Sequence, residues 1–126
     1  MAWLDVARMQ RASALHLAAA KEARFSRAIC SRAYYAAYAA TTSQLPSHIR
    51  FGRGWRNPEH AKLPGYVSHI AGLSASGRRE VKRGLRRLRH RREDADYRPG
   101  VTVDFRAARD SLRDAAGVFY LLHLEM

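Results

Sequence analysis

An all-α, single-domain bundle of about five helices is what this sequence predicts, and three observations predict it. Apolar residues recur at helical spacing in four long stretches, the four prolines fall between those stretches, and no segment alternates convincingly as a strand would. Residues 3–22 place Leu4, Ala7, Ala14, Leu15 and Ala18 on one stripe, with Arg8, Arg11 and Lys21 mostly off it. From about Arg24 to Leu45 there is neither Gly nor Pro, and Phe25, Ala28, Tyr35, Ala39 and Thr42 recur at steps of three, four or seven. Pro46, Gly52, Gly54, Pro58, Pro64 and Gly65 then break regular structure, so 46–66 reads as mainly loop, with a short third helix from about His60 or Gly65 to Gly72. Val81, Leu85, Leu88 and Ala95 form a narrow stripe on an otherwise charged fourth helix, about 76–96. Tyr97, Pro99 and Gly100 end it. Thr102 or Asp104 is placed to cap a last helix carrying Ala108, Leu112, Ala115, Phe119 and Leu122.

A chain of 126 residues with 47% apolar content fits one domain, 1–126, without an internal repeat. Such a domain buries roughly two-thirds of the surface that its unfolded chain exposes. Cys30 is alone, so it offers neither an intramolecular disulfide nor a cysteine metal cluster. Apolar runs fall short of the ~20 residues that span a bilayer, and the N-terminus lacks a signal peptide's pattern. A cytoplasmic protein without membrane contact is the expectation.

The formal net charge is +12, with 20 arginines against three lysines. An arginine bias can reflect genome composition, but exchanging one cation for another creates no excess over 11 acidic residues. The excess itself favours a polyanionic partner, RNA or an acidic protein surface. It is concentrated between Arg78 and Arg98, where ten basic side chains meet four acidic ones. Arg89–Glu93 and Arg92–Asp96 can pair at i,i+4, but such pairs contribute only a few tenths of a kcal/mol, roughly, and leave the first half of the helix uncompensated. Arg79, Arg83, Arg86, Arg87 and Arg89 are therefore candidate phosphate contacts. In the mid-chain loop Phe51, Trp55 and Tyr66 interleave with Arg50, Arg53 and Arg56, a mixture suited to stacking bases and holding phosphates.

Two motifs stand about sixty residues apart. SRAYYAAYAA at 31–40 sets Arg32 within the most apolar helical stretch, where a charge needs a partner. RREDADY at 91–97 offers Asp96, and a buried Arg32–Asp96 pair is the expectation, with loss of either partner costing roughly 3–5 kcal/mol. Tyr34, Tyr35 and Tyr38 are expected to pack under the fourth helix. In their order and spacing the two motifs, with Tyr97 closing the second and His60 ahead of the short third helix, resemble the HEPN domains. These are small helical proteins associated with RNA cleavage and toxin–antitoxin pairs.

The resemblance implies an up-and-down helical core, a homodimer, and a minimal nucleotidyltransferase-type antitoxin as a further partner. Active HEPN domains carry an Arg followed four to six residues later by His on the late helix. Guanidinium can hold a phosphate and imidazole can move the proton of an RNA 2′-hydroxyl. Here the corresponding position is Ala95, so a binding domain without cleavage activity, or with a divergent site, is the reading favoured. Two substitutes are available for a metal-independent endoribonuclease: Arg53 with His60, and Arg89 and Arg92 with His90. A third reading is a protein-interaction module whose basic face docks an acidic partner. No metal-ligand spacing, P-loop or dinucleotide fingerprint is present, so no cofactor is expected.

Overall fold

The computed structural model describes residues 2–52 and 57–124, and among these it contains helices and no strand. The helices are α1 (Trp3–Ala19), α2 (Ser26–Ser43), a single-turn α3 (Leu63–Tyr66) continued by a 3-10 turn at Val67–His69, α4 (Ala75–Tyr97) and α5 (Phe105–Leu121). No described helix is long and apolar enough to cross a membrane.

The all-helical prediction holds, and α2 shows why the bundle closes. Its alanines and threonines are buried on most of its circumference, Ala33, Ala36, Ala37, Ala39 and Ala40 almost completely. A helix that is small and apolar all round belongs in the centre. It packs against α1, α4 and α5. Trp3 meets Tyr38 edge-on at 5.7 Å, while Ala14 and Ile29 share a cluster at the other end, so α1 and α2 run antiparallel. Arg87 and Arg91 of α4 both reach Asp114 of α5, and Gly84 faces Val118, which makes that pair antiparallel as well. A Cβ on Gly84 would stand 3.1 Å from Val118 Cγ2, so a glycine there lets the two helices approach. The core is thus the up-and-down arrangement expected.

Side-chain caps start the two late helices. Ser74 Oγ accepts from the Gly77 amide at 3.0 Å, and Asp104 Oδ1 accepts from Ala107 at 2.9 Å, so of the two candidate caps Asp104 is the one used. The first helix departs from expectation in one respect. Ala7 and Ala14 are buried, but Leu15 is 45% exposed. At 100° per residue Ala7 and Ala14 nearly eclipse one another, while Leu15 falls about 80° beyond that line. Ala18 packs beside Ala14 as expected, and Trp3, Val6 and Leu17 flank the stripe in place of Leu15.

The C-terminal end of α4 is closed by a side chain from the start of α2. Arg27 donates from Nη1 to the carbonyls of Asp94 (3.0 Å), Ala95 (3.1 Å) and Arg98 (3.3 Å), and from Nη2 to those of Pro99 (3.3 Å) and Val101. The last carbonyls of a helix lack intrahelical donors, and a cation there also meets the negative end of the helix dipole. Arg27→Ala should lower unfolding stability by roughly 1.5–3 kcal/mol in a urea titration, the range for charged hydrogen bonds. Arg27→Lys should recover little of it, because one ammonium cannot serve carbonyls on both sides of the turn.

Candidate nucleic-acid interface

On the face of α2 that meets α4, Arg27, Ser31, Tyr34, Tyr35 and Tyr38 recur at helical spacing. The residue that answers them is Arg92. It lies four positions after Leu88 and seven after Leu85, so α4's apolar stripe carries it inward, and it is only 8% exposed. Its Nε donates to Asp96 Oδ2 at 3.0 Å, and its Nη2 donates to the hydroxyls of Tyr35 at 2.6 Å and Tyr97 at 2.8 Å. Ser31 Oγ donates to the same Asp96 oxygen at 3.1 Å. The guanidinium lies 5.1 Å from the ring centre of Tyr35 and 4.8 Å from that of Tyr97.

The expected Arg32–Asp96 pair is therefore corrected. Asp96 is held by Ser31 and Arg92, whereas Arg32 is half-buried and makes no hydrogen bond or ion pair among the described residues. One residue along a helix turns the side chain by 100°, so with Ser31 aimed at α4, Arg32 points elsewhere. Tyr34 and Tyr35 do pack against α4, under Arg92, whereas Tyr38, 5% exposed, packs between Trp3 of α1 and His60 of the loop.

His60 completes this cluster from the loop before α3. Its Nδ1 lies 2.7 Å from Tyr34 Oη, and its ring centre is 4.5 Å from that of Tyr38. Tyr38 in turn donates to the Pro58 carbonyl at 2.6 Å, tying the loop to α2 two residues before the histidine. Burial raises both phenols, Tyr38 to about 12, so both remain protonated donors. With Tyr34 as donor, the neutral imidazole keeps its proton on Nε2.

Beside His60 opens a cleft of about 340 Å³ between the 60–64 segment and α4. Tyr34, Leu63, Pro64 and Leu85 form its largely buried wall, and Arg86, Arg89, His90 and Glu93 project from α4. The histidines that the sequence offered as separate alternatives thus line one cavity. Arg89 Nε is 2.8 Å from Glu93 Oε1, and His90 Nε2 is 3.6 Å from Asp94 Oδ2 with its side chain 74% exposed. Arg92 lies under the cleft rather than in its lining. Arg53, the other proposed partner of His60, lies outside the described residues, as do Trp55 and Arg56.

A second, shallower depression of about 290 Å³ runs along α4 between Arg79, Lys82, Arg83, Arg86 and Arg87. Arg83 is paired with Glu80 at 2.9 Å and Arg87 with Asp114 at 3.2 Å, while Arg79 and Arg86 are exposed and have no acidic partner among the described residues. Arg50 is exposed in the mid-chain loop. Phe51, by contrast, packs edge-on against Tyr66 with ring centres 5.2 Å apart, so loop structure occupies both rings. Comparison with protein-family models, curated proteins and solved structures finds no match to this chain.

Two outcomes test this geometry. Arg92→Ala should cost roughly 1.5–3 kcal/mol, the range for charged hydrogen bonds, because Asp96 and Tyr97 are exposed enough to regain water, whereas Arg32→Ala should cost less than about 1 kcal/mol; denaturant midpoints separate the two. Burial first, then the charges of Arg92 and Arg89, hold His60 below the usual histidine pKa. The unfolded chain then takes up this proton near pH 6.5 and the folded chain only at lower pH, so stability should fall as pH drops below about 6.5. In His60→Gln the acid-induced fall in melting temperature should be smaller than in wild type.

Proposed function

We propose that this chain is an RNA-binding domain of HEPN type that engages single-stranded RNA along α4. The observation that carries this reading is the continuity of the basic surface at Arg86, which lines both the depression and the His60 cleft. The ten residue steps of helix from Arg79 to Arg89 extend roughly 15 Å, and two of the guanidinium groups along them, those of Arg79 and Arg86, lack an acidic partner among the described residues. Such a row matches a phosphate backbone, to which arginine binds bidentately. The net charge of +12 acts in the same direction by steering a polyanion to the surface. The homodimer and the nucleotidyltransferase-type antitoxin rest on the resemblance alone.

A second reading, a metal-independent endoribonuclease, draws on the meeting of His60, His90 and Arg89 in one cleft. The exposed imidazole of His90 could take the 2′-hydroxyl proton, while a guanidinium and the Nε2–H of His60 could hold the phosphate. Ala95 at the position where active HEPN domains carry histidine counts against it.

Labelled single-stranded RNA should be retarded by the protein in EDTA and remain intact. Arg83→Glu combined with Arg86→Glu should weaken binding and flatten its salt dependence, by about 0.7 in the logarithmic slope for each phosphate no longer neutralised. Cleavage that disappears in His60→Ala or His90→Ala would establish the second reading instead. Failure to bind RNA under any salt condition would leave the basic face to an acidic protein.

A further inference from the structure

Resting on the RNA-binding reading, we propose that the cleft between His60 and α4 is a phosphomonoester site that captures the phosphorylated end of an RNA strand, while the rest of the strand follows the basic row of α4. Size sets the first limit. At about 340 Å³ the cleft lies at the lower end of small-ligand sites, roughly 300–1,000 Å³, so it admits one terminal residue rather than a duplex. Its charge sets the second. Arg86 and Arg89 stand three residues apart on one face of α4, His90 adjoins them, and His60 faces them from the loop. Glu93 is the one carboxylate in the lining, and it is engaged by Arg89 at 2.8 Å and approached by Arg98 at 3.9 Å.

A terminal phosphate carries about −1.5 to −2 at pH 7, with a second ionisation near pH 6, whereas an internal phosphodiester carries a single charge. The exposed row from Arg79 to Arg83 suits single charges in series. The cleft gathers two guanidinium and two imidazole groups around one small volume, with the buried side chains of Leu63, Pro64 and Leu85 behind them. An apolar wall lowers the local dielectric and strengthens each of those interactions. Tyr34 fixes the His60 ring through the 2.7 Å contact, so the imidazole is oriented before a ligand arrives. Arg92, buried behind the tyrosines, adds positive potential that a dianion would offset more fully than a monoanion.

The test compares three forms of one short unstructured RNA, with a 5′-phosphate, a 3′-phosphate, or hydroxyl groups at both ends, by fluorescence anisotropy at constant salt. One of the phosphorylated forms should bind about tenfold more tightly than the hydroxyl form, and which one identifies the end. That ratio should collapse in His60→Gln and in Arg89→Gln, while Arg83→Gln should weaken all three forms and preserve it. Arg86→Gln, an exposed change outside the tyrosine network, supplies the same test if His60→Gln fails to fold. Inorganic phosphate should shift the imidazole NMR signals of His60 and His90 and compete with the preferred RNA. Equal affinity for all three forms would overturn end recognition and leave RNA binding intact. A phosphate preference that survives both cleft substitutions would also overturn it, and loss of binding to every form would remove the underlying reading as well.

Discussion

The buried guanidinium of Arg92 is the constraint around which this molecule is arranged. A charge at 8% exposure is tolerable only where each face of it finds a partner, and here a carboxylate and two phenols supply them. Those partners come from both sides of the α2–α4 seam. Satisfying Arg92 therefore fixes the register of α4 against α2, and Arg27 repeats the constraint two turns along α2, at the C-terminal end of α4. With the register fixed, residues three and six positions before Arg92 must turn toward the loop that precedes α3. These are Arg89 and Arg86, the two guanidinium groups of the cleft.

The loop is held to the same framework by polar contacts. Tyr38 holds the Pro58 carbonyl and Tyr34 holds His60, so a segment with little regular structure is fixed at two points two residues apart. Both phenols are buried and need partners for that reason alone. Their requirement positions an imidazole over α4. Burial, and after it the charges of Arg92 and Arg89, disfavour protonation of His60, and the same two charges favour an anion beside it.

Much of this was legible in the sequence, and the parts that were not have specific causes. Helix boundaries followed from proline placement and capping residues, and the all-α core from periodicity. The central position of α2 was implicit in its alanines. Arg92 was legible in principle, since Leu85, Leu88 and Arg92 share one face; reading Ala95 as the next member of the stripe concealed it. Arg32 drew attention because it sits in an apolar run, yet its neighbour Ser31 has the angle that reaches Asp96. Arg27 carried no local signal at all, because its acceptors are backbone carbonyls more than sixty residues away. The union of His60 with His90 and Arg89 was likewise inaccessible, since a loop's path over a helix depends on contacts that no periodicity encodes.

The distribution of charge along α4 shows how one helix serves both stability and binding. In its second half nearly every basic group has an acidic or carbonyl partner within the fold: Arg87 and Arg91 on Asp114, Arg89 on Glu93, Arg92 on Asp96, Arg98 on Asp94. In its first half Arg83 pairs with Glu80, and the other cations lack acidic partners among the described residues. Self-repulsion among them destabilises the folded state unless an anion is bound. The paired half anchors the helix with enough interactions to offset that repulsion. The boundary between the two halves falls at Arg86 and Arg89, which is where the cleft opens, so the electrostatically unsatisfied surface ends at a cavity that also presents two imidazoles.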